Sequence, residues 1–413
     1  MKADAIIPRY IHPRLLAALE DSPAVLIHGP RQCGKTTLAQ IVGEEKDYRY
    51  YSFDDLALLD AAREDPMGFV ADLPERVILD EVQKAPKLFS ALKMVIDRDR
   101  RAGRFLLTGS ANVLFVPKLS DSLAGRMEIV PLFPLSQCEI EGSHPKFLDI
   151  LFSGKFEMQD YDRLGKELTE RVLKGGYPVP QLRTKWSQRR KWYRDYADTL
   201  VQRDIYDLGR LSTFDVIPKL LALAAGQTAR LLNVSELSSP FELSRPTIRH
   251  YTNLLEKIFL IDFLPSWHSN QIKRLVKSPK LHMGDTGLAG ALLALNADDL
   301  YENRNLFGQL LETFVYGELK RQASWDEDHL EFFHFRDKHK FEVDIVIQKG
   351  LKIAGVEVKA AATVTGKDFQ GMKRLRQSLG NRFTCGVVLY NGEHALPFGD
   401  RFYAIPMKAL WSS

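Results

Sequence analysis

Apolar runs alternate with helical patterns over the first third of the chain. Leu15, Leu16 and Leu19 recur at helical spacing, and an apolar run at 24–28 predicts the first strand. The same pattern predicts a helix at 86–98 and strands at 48–53, 77–80, 105–108 and 128–132. Strands that alternate with helices are typical of an α/β domain.

The first predicted strand leads directly into a phosphate-binding loop pattern that opens a helix: a glycine, four free positions, then Gly34-Lys35-Thr36. Gly29 and Gly34 tolerate positive φ, so backbone N–H groups can converge on a triphosphate. We expect Lys35 to reach the β- and γ-phosphates and Thr36 to ligate Mg²⁺. An ordinary glycine-rich turn is the alternative, which the complete pattern disfavours. The expected nucleotide-contacting residues are Gly29, Pro30, Arg31, Gln32, Cys33, Gly34, Lys35, Thr36 and Thr37.

A second apolar strand ends in two adjacent carboxylates, Asp80 and Glu81. After a phosphate-binding loop, such a pair is the expected second half of an NTPase site. Asp80 would hold Mg²⁺ indirectly, from the second coordination shell of the ion. Glu81 would orient and polarise the attacking water.

Three further polar positions have two interpretations each. Ser110 and Asn112 contact the γ-phosphate or its water, or they simply end a strand in a turn. Arg126 stabilises transferring charge as an arginine finger, in its own or a neighbouring subunit, or it pairs with a surface carboxylate.

The composition, 45% hydrophobic and 27% charged, is that of a globular protein. A chain of 413 residues exceeds what one core organises, so we expect two to four domains. Without an apolar run of membrane-spanning length or a signal-peptide core, the sequence predicts a cytoplasmic protein without membrane contact. Three separated cysteines support neither a disulfide framework nor a zinc site. The net charge of +4 does not by itself establish a nucleic-acid partner.

The middle of the chain is helical in pattern. Residues 136–211 are expected to form a lid or connector, in which Arg203 either senses nucleotide or makes a solvated ion pair. Residues 212–267 resemble a winged helix-turn-helix, with Ser244 as the N-cap of one helix and an alternating strand at 259–264. In that interpretation the side chains facing a DNA major groove are Arg245, Thr247, Arg249 and His250. The alternative is that this unit packs on protein.

After a connector at 268–304, residues 305–413 change to the order helix, three strands, helix, strand. Glu357 and Lys359 are two apart on a predicted strand and therefore share one face. With Asp344 on the preceding strand, they resemble the PD-(D/E)XK nuclease superfamily. That resemblance implies a metal site of Asp344 and Glu357, with Lys359 orienting the nucleophile and Glu312 as a further acidic contributor. The alternatives are an edge strand with solvated charges, or a nuclease fold that binds without cleaving.

The N-terminal motifs also carry a resemblance. Gly-Pro-Arg-Gln-x-Gly-Lys-Thr-Thr-Leu, Leu-Asp-Glu-Val-Gln, Leu-Thr-Gly-Ser and Leu-Ala-Gly-Arg resemble those of a prokaryotic AAA+ ATPase family that has a C-terminal domain of unknown function. The similarity extends over nearly the whole chain, including 203–205, 278–281 and 285–288. It implies an ATPase core at 1–135 and ATP as the nucleotide.

Two functions follow as expectations. The first is an ATP-hydrolysing protein that binds DNA and controls the nuclease-like domain, with Mg²⁺ at the ATP site and a second Mg²⁺ or Mn²⁺ in the C-terminal domain. The second is a nucleotide-dependent switch or scaffold for protein partners, with an inactive nuclease fold. Homo-oligomerisation is compatible with either function.

Overall fold

The computed structural model describes residues 6–109, 123–205, 215–270, 272, 274, 277–326 and 328–412. The chain forms two compact units. The first comprises Met1–Leu135 and Lys257–Phe259, and the second comprises Ser136–Glu256 and Leu260–Ser413. No helix among the described residues has the length and apolar character needed to cross a membrane.

The first unit is built on a five-stranded parallel sheet in the order β2-β3-β4-β1-β5. Its central strands are buried along their lengths, as expected for a parallel sheet covered on both faces. The strands are β1 (Ala24–His28), β2 (Arg49–Ser52), β3 (Val77–Asp80), β4 (Phe105–Gly109) and β5 (Met127–Pro131). The helices are α1 (His12–Asp21), α2 (Lys35–Lys46), α3 (Leu56–Glu64), α4 (Pro66–Ala71) and α5 (Leu88–Arg98). The predicted α/β domain is confirmed.

Different helices cover the two faces of this sheet. Leu26, Leu79 and Leu107 join one apolar cluster with residues of α3, α4 and α5. On the other face, Gly43 of α2 lies so close to Ile78 that an added Cβ would be 2.6 Å from the isoleucine Cδ1. Since all the strands are parallel, the carboxyl ends of β1, β3 and β4 meet at one edge of the sheet.

The second unit begins with helices: α6 (Gln137–Glu141), α7 (Phe147–Ser153), α8 (Glu167–Lys174), α9 (Pro178–Gln181) and α10 (Trp186–Leu200), followed by a π-helical turn at Val201–Ile205. A buried polar network fixes them. Asp285 accepts hydrogen bonds from the N–H groups of Gly176 (2.8 Å) and Gly287 (2.9 Å), and Arg321 binds Glu318 at 2.6 Å.

The next elements follow the order helix, strand, helix, helix, strand, strand: α11 (Val216–Gly226), β6 (Arg230–Leu231), α12 (Val234–Ser238), α13 (Arg245–Lys257), β7 (Ile261–Leu264) and β8 (Lys280–Met283). The three strands form an antiparallel sheet in the order β6-β8-β7. Strand β7 begins two residues later than predicted because Phe259 adopts a left-handed backbone conformation, with φ +63°.

The last part of the unit is a six-stranded mixed sheet in the order β13-β14-β12-β11-β10-β9. Its strands are β9 (Leu330–Arg336), β10 (Glu342–Lys349), β11 (Lys352–Lys359), β12 (Phe383–Tyr390), β13 (Leu396–Pro397) and β14 (Phe402–Pro406). The helices are α14 (Thr286–Leu292), α15 (Ala297–Glu302), α16 (Arg304–Trp325) and α17 (Gln370–Leu379). The sequence pattern did not predict the two short strands β13 and β14.

Candidate functional site

The phosphate-binding loop joins β1 to α2 and requires glycine at two positions. Gly34, the residue before α2, has φ +104°, which side chains other than glycine rarely tolerate. At Gly29 an added Cβ would lie 1.9 Å from the carbonyl oxygen of Leu132. Pro30 is buried, Arg31 is half-buried, and Gln32 and Thr37 are exposed.

Lys35 and Cys33 are both buried in this loop. The Lys35 Nζ donates hydrogen bonds to the carbonyl oxygens of Gly29 (3.0 Å) and Pro30 (2.7 Å), so the ammonium lies within the loop. The Cys33 Sγ lies 3.3 Å from the Leu132 carbonyl oxygen, and burial raises the pKa of this thiol. Arg9 donates to the carbonyl oxygens of Cys33 (2.8 Å) and Phe133 (2.6 Å). The Cys33 side chain therefore faces the core, and only its backbone suits a nucleotide.

Asp80 is the polar centre of the site. It accepts hydrogen bonds from the hydroxyls of Thr36 (3.1 Å to Oδ1), Tyr50 (2.8 Å to Oδ2) and Thr108. Burial and the Asp80 carboxylate raise the pKa of Tyr50 to about 12. Hydroxyl and carboxylate oxygens are the ligands that Mg²⁺ prefers, so Thr36 and Asp80 together fit this ion. Tyr50 and Thr108 were not identified as site residues from the sequence. Tyr50 belongs to no recognised motif, and in the Leu-Thr-Gly-Ser motif that contains Thr108 only Ser110 was considered as a ligand.

Glu81 follows Asp80 in a left-handed backbone conformation, with φ +58°. Such a conformation costs a residue with a Cβ about 1 kcal/mol or more and is frequent at functional sites. The Glu81 N–H donates to Thr108 Oγ1 at 3.3 Å, and its carboxylate accepts a hydrogen bond from the Gln83 side chain. Gln83, also missed from the sequence, therefore orients this carboxylate.

Four further residues were considered as nucleotide ligands or sensors. Ser110 and Asn112 lie outside the described residues. Arg126 directly precedes β5, whose first residue pairs with Ala24 at the amino end of β1, so it lies at the sheet edge opposite the phosphate-binding loop. There it forms a two-pronged ion pair with Asp97, at 2.6 and 3.0 Å. This ion pair corresponds to the second interpretation of Arg126, a pairing with a surface carboxylate. Arg203 is exposed on the π-helical turn.

A second polar group lies in the six-stranded sheet and brings together the four residues of the nuclease resemblance. Glu312 lies on α16, Asp344 on β10, and Glu357 and Lys359 on β11. The Lys359 Nζ is 3.0 Å from Glu357 Oε1, and Asp344 Oδ2 accepts a hydrogen bond from the Val358 N–H at 3.0 Å.

The sequence did not indicate the residue at the centre of this group, Lys280 on β8. Its Nζ lies 2.8 Å from Glu312 Oε1, 2.9 Å from Glu342 Oε1 and 3.1 Å from Asp344 Oδ1. We call Lys280, Glu312, Glu342, Asp344, Glu357 and Lys359 the carboxylate cluster. Lys280 is only 2% exposed, so the ammonium depends on these carboxylates instead of water.

Burial shapes the acid–base properties of the cluster. Burial and the neighbouring Asp344 raise the pKa of Glu357 to about 8 and move the pKa of Glu312 well above its ordinary value. Burial by itself lowers the pKa of Lys280, but Asp344, Glu312 and Glu342 outweigh that effect and raise this pKa well above its usual range. Lys280 is therefore charged throughout the neutral pH range.

The carboxylate cluster does not fit the second metal ion that the nuclease resemblance implies. In the described ranges, no three His, Cys, Asp or Glu side chains are arranged to hold a metal ion. The Lys280 ammonium lies between Glu312 and Asp344, 2.8 and 3.1 Å from their carboxylate oxygens, and occupies the space that a metal ion would need.

The helix expected to face DNA presents several polar side chains. Arg245, Arg249 and His250 of α13 are exposed, whereas Ile248 and Leu255 are buried. Ser244 precedes the helix as predicted, and its Oγ accepts a hydrogen bond from the Thr247 N–H at 3.3 Å. The Thr247 hydroxyl is bound to the Ser244 hydroxyl at 2.7 Å.

Three family models match the chain. Residues 21–141 match an AAA domain, residues 165–299 match a domain of unknown function (DUF8612), and residues 307–410 match a second domain of unknown function (DUF4143). The AAA match covers the parallel sheet, the phosphate-binding loop and Asp80. The N-terminal domain is therefore an ATPase-like P-loop domain that is similar to an AAA domain. The match at 307–410 agrees with the resemblance to a family whose C-terminal domain has no known function.

The chain is also similar to whole proteins, at sequence identities below 30%. Uncharacterized proteins of Mycobacterium tuberculosis and Mycobacterium bovis are each 29% identical over 399 residues, which cover 96% of this chain and 83% of the relative. Among solved structures, the chain is similar to a Walker-type ATPase of Pyrococcus abyssi (16% identity, 70% of this chain and 97% of that one, TM-score 0.43). It is also similar to the RuvB Holliday junction branch migration motor of Thermotoga maritima (18% identity, 62% and 89%, TM-score 0.28).

Proposed function

We propose that this protein binds and hydrolyses ATP, binds DNA and controls its nuclease-like C-terminal domain. The observation that carries the ATPase part is the contact of Thr36 with Asp80 beside the phosphate-binding loop. The loop and its hydroxyl come from one segment of the chain and the carboxylate from another, 44 residues later, yet they meet at one edge of the sheet.

Each residue has a definite task in hydrolysis. Lys35 exchanges the carbonyl oxygens of Gly29 and Pro30 for phosphate oxygens when ATP binds. Thr36 and Asp80 hold Mg²⁺, which when bound neutralises charge on the phosphates. Glu81, oriented by Gln83, polarises the water that attacks the γ-phosphate in line. ATP turnover by the wild type and its loss in Lys35→Ala test this assignment.

The DNA-binding part of the proposal is supported by the segment from α11 to β8. Its order of helices and strands, with β8 between β6 and β7, resembles that of a winged helix-turn-helix and supports this interpretation. Helix α13 would enter the major groove, where Arg245 and Arg249 meet phosphates or guanine edges and His250 and Thr247 make secondary contacts.

A fluorescence-anisotropy titration with duplex DNA tests this assignment. We expect Arg245→Ala/Arg249→Ala to weaken binding at least about tenfold and to lower its salt dependence, because two phosphate or base contacts are lost. The charge-matched control is Lys155→Ala/Lys352→Ala, which removes two exposed lysines outside the segment from α11 to β8. Equal losses of DNA affinity in both double variants would mean that binding depends on net charge alone, which would contradict the assignment of α13 to the major groove.

A second candidate is a nucleotide-dependent switch that acts on protein partners through an inactive nuclease fold. The position of Lys280 among the carboxylates favours the inactive fold. Incubation of supercoiled and linear DNA with Mg²⁺ or Mn²⁺, with and without ATP, separates the candidates. Cutting that disappears in Asp344→Ala would show a nuclease, and its loss in Lys35→Ala would show control by nucleotide. ATP hydrolysis that DNA stimulates, without cutting, would show a DNA-binding ATPase.

A further inference from the structure

We infer that the ammonium of Lys280 is the resident cation of the carboxylate cluster and takes the place that the nuclease resemblance gives to a divalent metal ion. The inference concerns the nuclease-like domain of the proposed function, and it does not depend on ATP hydrolysis or DNA binding.

The geometry matches an ammonium group. A lysine ammonium has three N–H donors, and the Lys280 Nζ has three carboxylate oxygens within 3.1 Å, one each from Glu312, Glu342 and Asp344. These separations are charge-assisted hydrogen-bond distances. A Mg²⁺ ion would require oxygens at about 2.0 to 2.1 Å instead.

The carboxylates of the resemblance are already bound by protein groups. Both oxygens of Asp344 have a donor: Lys280 at Oδ1 and the Val358 N–H at Oδ2. Glu312 Oε1 is bound by Lys280 and Glu357 Oε1 by Lys359. A divalent ion shared by Glu312 and Asp344 would lie close to the ammonium and be repelled by it, so the lysine and the metal exclude each other.

The fold explains why Lys280 cannot turn away to solvent. It is the first residue of β8, a strand buried along its length that lies between β6 and β7. Its backbone is paired with Leu264 on one side and Leu231 on the other. The side chain extends from this small sheet to β10 and α16, so the ion contacts also join the α11–β8 segment to the nuclease-like sheet.

Manganese titration of the full chain tests the inference. All proteins carry Asp80→Asn, which removes the carboxylate of the nucleotide site, and no nucleotide is added. Mn²⁺ binding is measured by isothermal calorimetry and electron paramagnetic resonance for this parent, for Lys280→Met, and for Lys280→Met/Asp344→Asn. Lys352→Met, at an exposed position on β11, is the matched control.

We expect the parent and the Lys352→Met control to bind Mn²⁺ equally weakly. Lys280→Met should gain a single site with affinity at least about tenfold higher, since a like charge about 3 Å away has been removed. The further change Asp344→Asn should abolish that site. This pattern supports the inference whether or not the protein hydrolyses ATP or binds DNA.

Two results would overturn it. One is a Mn²⁺ site in the parent that Asp344→Asn removes, which would show that the cluster holds metal despite Lys280. The other is a folded Lys280→Met protein that gains no site. If Lys280→Met fails to fold, the comparison of the parent with its Asp344→Asn derivative still decides, because equal Mn²⁺ binding supports the inference and a loss contradicts it.

Discussion

The nucleotide site and the carboxylate cluster both contain buried or half-buried acidic side chains but surround them differently. Asp80 is bound by three neutral hydroxyls, those of Thr36, Tyr50 and Thr108, which leave its negative charge available for a cation. Asp344 is bound by the ammonium of Lys280, which already supplies the positive charge. We therefore expect the charge of the donors around a buried carboxylate to decide whether it can serve a metal ion.

The largest expected effect lies in the nucleotide site. Glu81→Gln should lower the rate of ATP hydrolysis at least about a hundredfold, because it removes the group that polarises the attacking water. Binding of ATP should change little, since Lys35 and Thr36 remain.

A phosphate-release assay and an equilibrium binding assay measure the two quantities for Glu81→Gln. Glu75→Gln, an exposed position in the same domain, is the control. Loss of ATP binding in Glu81→Gln would show that Glu81 supports the loop and not the chemistry.

The next effect lies in the carboxylate cluster. Lys280→Met should destabilise the second unit by about 3 to 5 kcal/mol, because buried carboxylates lose their partner. All five tryptophans lie in this unit, so urea unfolding followed by tryptophan fluorescence reports on it selectively. Lys352→Met should leave the transition unchanged. A loss of less than about 1 kcal/mol in Lys280→Met would place the ammonium in water and contradict the described contacts.

A smaller effect depends on pH. Burial, and then the charges of Lys280 and Lys277, lower the pKa of His334 to about 4. Between about pH 4 and pH 6.5 the unfolded chain binds a proton that the folded chain does not, so stability rises with pH across this window and is lost as pH falls. The contribution is about 3 kcal/mol at most.

The His334 contribution is isolated by comparing variants. In tryptophan-detected unfolding, the stability of the wild type relative to His334→Gln should fall by up to about 3 kcal/mol as the pH is lowered from 6.5 to 4. The exposed His339→Gln serves as control. A difference that does not vary with pH would mean that His334 titrates normally.

The smallest effect concerns Arg126. Because this residue lies at the sheet edge opposite the phosphate-binding loop, Arg126→Ala should change the affinity of a single chain for ATP by less than about twofold. Lys35→Ala in the same binding assay is the positive control. A large loss of affinity in dilute protein would contradict the strand register.

Sequence reasoning predicted position well where position depends on local order. The phosphate-binding loop and the Asp80–Glu81 pair follow their strands directly, so motif and strand pattern were sufficient to predict where they lie. Arg126 also lies next to a strand, but it precedes that strand, and a motif does not show at which edge of a sheet a residue lies.

Lys280 could not be predicted because its partners are distant in the sequence. Glu312 and Asp344 follow it by 32 and 64 residues, and the contacts depend on how one sheet packs beside another. A lysine that opens a strand is ordinarily expected at the surface. Only the observed burial shows that this one is an internal counter-ion.

A crystal structure of Glu81→Gln grown with ATP and Mn²⁺, examined by anomalous diffraction, tests the contrast between the two sites most directly. We predict a manganese peak beside Thr36 and Asp80 and none within the carboxylate cluster, where the Lys280 ammonium keeps its three carboxylate partners. A manganese peak bonded to Glu312 and Asp344, with Lys280 displaced, would contradict the account.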